Sequence, residues 1–408
     1  MSSILSYKAK CSMELIEANG EEVVIPDLYI TSMASDYRFN NNIMPILYAI
    51  LDVAPEIYEK IIDNSTDGFM HVRIVNFEGT GGASLEKEIV NEQFTYFIPV
   101  KYNYQKELKK SDVGETSFDT AHIVVGMIKS TMINQNKKAF NGVYVETTTK
   151  KLLEETFLKD LPDLVMDELE IETEYESILI PPQETRAKAI AYLFELDPFY
   201  KSPYIYFMDF AKTYLLNSVG IAMNAKKEKV LFRIEDIEEE SAYYTGISVE
   251  GDTTIVYVNQ GNVNVSINTT TDKMYNQIVA TYTNEVTIVD SNISVYTKDN
   301  NNRQVYEMAK EMGTDIRKQV VDNTAVTINI TKMNMDSTLI TPDKYYIVNY
   351  NDYSAYNGRY ILLYKKETIV KRGEAYDTTT SIGLQRIADQ EEGNAGYVTE
   401  KVKKVGGV

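Results

Sequence analysis

Along this chain the spacing of apolar positions switches between the two-residue period of a strand and the longer period of a helix. Residues 13–18 and 23–30 are short apolar-rich runs joined by Asn19-Gly20, a dipeptide suited to a hairpin turn. The run 43–51 (IMPILYAIL) is apolar almost throughout, so its period does not choose between a buried strand and a helix. Pro55 opens a helix that places Ile57, Tyr58, Ile61 and Ile62 on one side, and Asp63-Asn64 ends it. Residues 72–77 and 94–100 are expected to be strands. In the second, Phe94, Tyr96 and Ile98 alternate with Thr95 and Phe97. The charged connector 106–115 contains a glycine and is a natural boundary.

Beyond it the pattern predicts a mixed unit. Residues 122–133 form an apolar strand, and 147–160 a helix with a threonine cap and Leu152, Leu153 and Phe157 on one face. An acidic segment, 163–176, leads to a strand at 178–180 that Pro181 and Pro182 should stop. A second helix follows on Ala187, Ile190, Ala191 and Phe194, and Pro198 and Pro203 end it. From Tyr204 to Leu216 the composition turns to Tyr, Ile, Phe and Leu, and one strand is expected. Further strands are predicted at 230–234, 253–259, 262–268, 277–282, 285–289, 324–331, 345–350, 359–364 and 381–386, with a helix at 305–312 closed by Gly313. The fold class is therefore mainly β with α+β insertions.

Composition narrows the function classes. The 408 residues include 60 acidic and 41 basic side chains, a net charge of −19. Such a chain has no surplus of cations with which to displace counterions from nucleic acid or to seek anionic lipid. Tyrosine is abundant at 31 residues, and tryptophan is absent. Tyrosine suits half-buried strands and subunit contacts. The single cysteine, Cys11, fits assembly in a reducing cytoplasm and excludes thiolate-built zinc sites. No apolar run approaches membrane-spanning length, and residues 1–20 lack a signal pattern.

Little catalytic material is visible. The two histidines, His71 and His122, lie in predicted strands beside apolar residues, where a structural role outweighs that of a base. Gly79-Thr-Gly81-Gly82-Ala-Ser84 follows a strand as a dinucleotide loop would, but Ser84 replaces the third glycine and a flexible turn is the better account. Carboxylates are too numerous for a glycosidase pair to be singled out, and residues 343–352 lack calcium-loop spacing. The sequence thus nominates no catalytic, cofactor-binding or metal-ligating residue and favours a structural rather than an enzymatic protein.

Three stretches carry a likeness that spacing alone would not give. They are Asn42-Ile-Met-Pro45 with its following helix, Phe207-Met-Asp209-Phe210 with Thr213-Tyr-Leu-Leu216, and a C-terminal series. That series comprises Leu339-Ile-Thr-Pro342-Asp-Lys344, Tyr356-Asn-Gly358-Arg-Tyr360-Ile361, Arg372-Gly-Glu374 and Ile382-Gly-Leu384-Gln-Arg386. Together they resemble the central baseplate hub proteins of contractile-tailed bacteriophages, the T-even-like hub family. The resemblance implies two tail-tube-like antiparallel β-barrels. The first would span 1–112, with an inserted α+β unit at 113–203. The second would span 204–240 and 323–388, with Tyr204–Leu216 its first strand and an inserted β-rich unit at 241–322. A flexible tail would follow at 389–408. It also implies a homotrimer in the virion baseplate that joins a sixfold tail tube to a threefold central spike. Its partners would be spike, tube or tube-initiator and wedge proteins, with DNA only passing through and no membrane insertion. Two other readings compete: a hexameric tail-tube terminator or distal ring protein, and a carbohydrate-binding or cell-wall-degrading tail-tip protein. A contractile secretion-system hub is a near relative of the first.

Overall fold

The computed structural model describes residues 6–39, 42–80, 83–99, 109–110, 119–161, 163–200, 204–217, 228–236, 247–250, 253–267, 326–333, 335–351, 356–372 and 375–388. Two-residue alternation builds its first third. In β1 (Ser6–Ile16), Ala9, Cys11, Met13 and Leu15 are buried while Lys10 and Ser12 are exposed. The chain reverses through Asn19-Gly20 into β2 (Glu22–Ile25), and Gly20 takes the φ of +86° that glycine tolerates. β3 (Ile30–Arg38) and β4 (Ile46–Val53) follow. Every second residue of β4 is buried, which resolves the ambiguous run 43–51 as a strand. Helix α1 (Pro55–Asp63) starts on its proline and buries Ile61. β5 (Phe69–Thr80) and β6 (Ala83–Phe97) form a long hairpin, β7 (Lys109–Lys110) is brief, and β8 (Asp119–Lys129) buries Ala121, Ile123, Val125 and Met127.

The mixed unit follows. Its elements are α2 (Ser130–Asn136), β9 (Phe140–Thr148), α3 (Thr149–Lys151) continuing as a π-helix over Leu152–Phe157, β10 (Leu164–Met166), β11 (Glu174–Gln183) and α4 (Arg186–Leu196). Thr148 caps α3 by accepting from the Lys151 amide, and Leu152, Leu153 and Phe157 are buried as the pattern required. Three expectations change. The predicted strand 122–133 becomes a strand to Lys129 and a helix from Ser130. Pro181 and Pro182 do not stop β11. The register slips between Ile180 and Gln183, and a two-stranded ribbon has no inner ladder for the missing N–H groups to break. The buried face of α4 is Ala189, Ile190, Leu193 and Phe194, rotated from the expected one because Arg186 turns inward. Its Nε donates to the Gln135 carbonyl, and its guanidinium lies 5.4 Å from the Phe140 ring centroid.

The remaining strands are β12 (Tyr204–Met208), β13 (Thr213–Asn217), β14 (Lys229–Glu235), β15 (Ile247–Glu250), β16 (Thr253–Asn259), β17 (Val263–Ile267), β18 (Val326–Met333), β19 (Tyr345–Tyr350), β20 (Gly358–Arg372) and β21 (Ala375–Ala388). Pro203, the strands expected at 277–282 and 285–289, the helix at 305–312 and the tail 389–408 lie outside the described residues.

Among the described residues sixteen strands belong to one continuous sheet, and the chain is mainly β. Part of that sheet closes on itself. β20 pairs β3, which pairs β4, then β8, β6, β5, β1 and β21, and β21 returns to β20. A closed ring of eight strands has no edge to protect, and at this size side chains fill its interior. The other part runs β15-β16-β14-β19-β20-β21-β18-β17. It is not wholly antiparallel as the resemblance implied: β14 runs parallel to both β16 and β19. β15 makes the return stroke between β14 and β16, so the two parallel neighbours need no helical crossover.

The hairpin β20–β21 belongs to both parts. Near its base, residues such as Tyr360 and Leu384 enter one apolar core with β14, β16, β18 and β19. Near its tip, Ile369 and Tyr376 enter a second core inside the closed ring. A third core lies in the mixed unit, under α4 and the π-helix.

Candidate functional site

Each residue weighed for chemistry has a structural position. His122 and Asp52 are opposed across β4 and β8, with Nδ1 2.7 Å from Asp52 Oδ1, and Thr31 donates to the other carboxylate oxygen at 3.2 Å. The threonine thus bonds the carboxylate and not the imidazole, so the trio lacks a base aimed at a nucleophile. It lies on the exposed outer face of the ring. His71 sits 3.5 Å from Glu14 on the same kind of face. Cys11 is fully buried among aliphatic side chains, and desolvation pushes its thiol well above the usual range, which keeps it unreactive. Of the Gly79–Ser84 stretch, Gly79 and Thr80 end β5 and Ala83 and Ser84 begin β6, with Thr80 opposite Ala83, and Gly81-Gly82 lie outside the described residues. No helix N-terminus follows it, so it does not form a dinucleotide loop. Among the described residues no three His, Cys, Asp or Glu side chains converge on a metal position.

Two arrangements that the sequence did not announce organise the molecule. The first is the turn at Asp209. The expected single strand Tyr204–Leu216 is a hairpin, β12–β13, that joins β10 in a separate three-stranded sheet and not in the large one. Both its faces are buried. Ile205, Phe207, Tyr214 and Leu216 face the first core, while Tyr206, Met208 and Leu215 face the third. The Asp209 amide donates to the Lys212 carbonyl, and the Asp209 carboxylate accepts from the Phe210 amide, which makes Asp209 a turn former. Phe210 then touches all three cores. Its ring meets Tyr37 and Phe94 edge-on at centroid distances of 5.9 and 5.8 Å. Lys129 Nζ donates to the Phe210 carbonyl at 2.9 Å and to Glu92 at 2.7 Å. A cleft of about 250 Å³ opens beside this turn, lined by Lys129, Met132, Gln135 and Lys212 among others.

The second arrangement is a polar belt across the shared hairpin. Ser35, Glu367, Thr380 and Lys332 are successive register partners on β3, β20, β21 and β18, and all four are buried. Lys365 is buried beside them. Its Nζ donates to the carbonyls of Ser337 and Ile340 and lies 4.3 Å from the Tyr37 ring centroid. Ser337 Oγ donates to Glu367 at 2.8 Å, and burial raises the Glu367 carboxyl above its ordinary value. The belt marks where the two large cores meet. Its alternation is present in the sequence, but Lys, Glu and Thr at the inward positions hide it.

No protein-family model matches this sequence, and no curated protein matches it significantly. Among solved structures, the prophage MuSo2 43 kDa tail protein from Shewanella oneidensis aligns with a TM-score of 0.45 at 9% identity, over 92% of this chain and 98% of that one. A tail protein from Neisseria meningitidis aligns with a TM-score of 0.42 at 10% identity, over 92% and 96%. A component of the E. coli type VI secretion system, itself described as similar to bacteriophage tail proteins, gives 0.40 at 10% identity, over 89% and 74%. All three scores lie below 0.5, so the likeness assigns neither fold nor role to this chain.

Proposed function

We propose that this chain is a structural component of a phage tail or related contractile injection machine, and within it the trimeric baseplate hub. The observation that carries the reading is the fusion of two eight-strand β units through one hairpin. Three such chains about an axis present six β units, which lets a threefold body meet a sixfold tube. On this reading residues 1–112 supply most of the first tube-like unit, completed by β8 and the tip of β20–β21. Residues 113–203 hold an inserted unit, and the second tube-like unit is built around β14, β18, β19 and the hairpin base.

The filled interior of the closed ring leaves no passage through it, so DNA would pass between chains. A net charge of −19 keeps such a passage from gripping phosphates. The partners on this reading are further copies of the chain, a central spike, tube and wedge proteins. Light scattering on the chain co-expressed with its spike should give about three times 46.5 kDa for this component, with rings in negative stain. A strictly monomeric chain would sink the proposal, and a hexamer would favour the tube-terminator reading.

A further inference from the structure

The inward face of the shared hairpin carries polar side chains where the rest of the ring carries apolar ones. Glu367 and Thr380 are opposed across β20 and β21, and Ile369 and Thr378 are opposed one step nearer the tip. Ile369 and Tyr376 line the core inside the closed ring, so by two-residue alternation Glu367, Thr378 and Thr380 face the same way. The three are buried, with 5%, 0% and 1% exposure. Glu367 Oε2 accepts from Ser337 Oγ. Glu367 Oε1 and the hydroxyl oxygens of Thr378 and Thr380 are bonded to no protein group among the described residues. The Lys365 ammonium, two residues along β20, donates instead to the carbonyls of Ser337 and Ile340.

A buried oxygen without a partner carries its whole desolvation penalty, and native interiors hold few of them. Three at neighbouring positions of one face call for a common partner. Opposed residues such as Glu367 and Thr380 have Cβ atoms about 5 Å apart, and Thr378 stands about 7 Å from Thr380 along the strand. A small molecule forming hydrogen bonds of about 2.8 Å in several directions spans such gaps. Side chains only just fill a ring of eight strands, so small ones leave space. Beside the hairpin the inward positions are small: Ser35 is opposite Glu367, and Ala9 is opposite Tyr376.

We infer that this level of the ring is an internal hydration site, in which at least one ordered water bridges Glu367 Oε1 and the hydroxyls of Thr378 and Thr380. Water offers two donors and two acceptors. A single molecule therefore donates to Oε1 and to one threonine, and accepts from the other. A metal ion would also satisfy the oxygens, but buried ammonium groups on both flanks oppose a further positive charge. Lys332 is the register partner of Thr380, and Lys365 is one inward position before Glu367. The site belongs to the hairpin itself and does not depend on the proposed tail role.

The test is a crystal structure of the full chain at a resolution that shows ordered water, with a parallel crystal soaked in rubidium chloride. A peak is expected within hydrogen-bond distance of Glu367 Oε1 and of at least one of the two hydroxyls, without anomalous signal after the soak. Three oxygens still unpaired with no peak between them, protein groups turned into contact with all three, or a rubidium signal would overturn the inference. Equilibrium unfolding of the full chain gives an independent reading. Thr380→Val replaces the hydroxyl by a methyl group. In a dry core that change removes an orphan and is neutral or stabilising, whereas loss of a water partner should raise the unfolding constant roughly two- to tenfold. Thr379→Val, on the outward face of the same strand, corrects for the higher strand propensity of valine. An unfolding constant for Thr380→Val no higher than that for Thr379→Val would also sink the inference.

Discussion

Glu367 is a buried carboxyl on the hairpin that the two large cores share. Burial raises its carboxyl, while Ser337 and the Lys365 charge act in the opposite sense. A carboxyl whose folded pKa exceeds its unfolded one adds stability below the unfolded value, near 4.5, and loses it as pH rises through the folded value. Denaturant midpoints of the natural chain should therefore fall as pH climbs from about 5, and Glu367→Gln should flatten that slope and stabilise at neutral pH. A steeper slope in the variant would contradict this. Phe210 is the other exceptional residue. Phe210→Ala removes two edge-on ring contacts and a shared contact with three cores, and should cost about 2–4 kcal/mol in equilibrium unfolding. Glu367 did not stand out in the sequence, and Phe210 entered only within the Phe207-Met-Asp209-Phe210 stretch that carried the resemblance, with no sign of its contacts. Glu367 is one acid among 60, and Phe210 is one aromatic in a run of them. The burial of Cys11 follows from a first strand that reaches back to Ser6, beyond the run 13–18 that the apolar pattern marked.

At the scale of elements, two aromatic–glycine pairs pin the register. Tyr364 opposes Gly383 across β20 and β21, and Phe97 opposes Gly126 across β6 and β8. A Cβ on Gly383 would lie 2.1 Å from Tyr364 Cε1, and one on Gly126 2.5 Å from Phe97 Cζ. The rings thus lie over the bare backbone, as an aromatic does when it covers a strand glycine. The Tyr364 hydroxyl also donates to Asn329 at 2.8 Å, which ties β20 to β18. Gly383→Ala should lose about 1–3 kcal/mol through overpacking, and adding Tyr364→Ala should make the alanine nearly harmless. Additive losses in that double-mutant cycle would show that the ring does not set the register. Strands with clean alternation, such as β16 and β19, were readable to the residue. The middle of β20–β21 was not, because Lys365, Glu367, Thr378 and Thr380 occupy inward positions usually held by apolar residues. The β12–β13 hairpin was read as one strand because both its faces are buried, which erases the period that a turn would interrupt.

At the scale of the molecule, the shared hairpin makes the two β units interdependent. Sequence composition shows that the chain is β-rich but carries no sign that residues near 8 and near 377 are neighbours, since pairing partners are a property of topology. A fragment of residues 1–203 lacks the two strands that close the ring, and leaves β1 and β3 as open edges. It should show no cooperative melting transition by calorimetry and should aggregate. A sharp transition matching that of the whole chain would mean that the ring closes without β20 and β21.

Ring closure by Lys8 against Asp377 also has a temporal meaning. A ribosome adds roughly 5–20 residues per second, so the first strand waits on the order of 20–70 s for its last neighbour to be made. Once β8 has been made, and for the rest of that interval, the nascent chain carries six of the eight ring strands with two unpaired margins. The production yield of this protein therefore depends on what occupies those margins during translation, and slowing synthesis should lower the yield where it raises that of proteins whose domains close in sequence order.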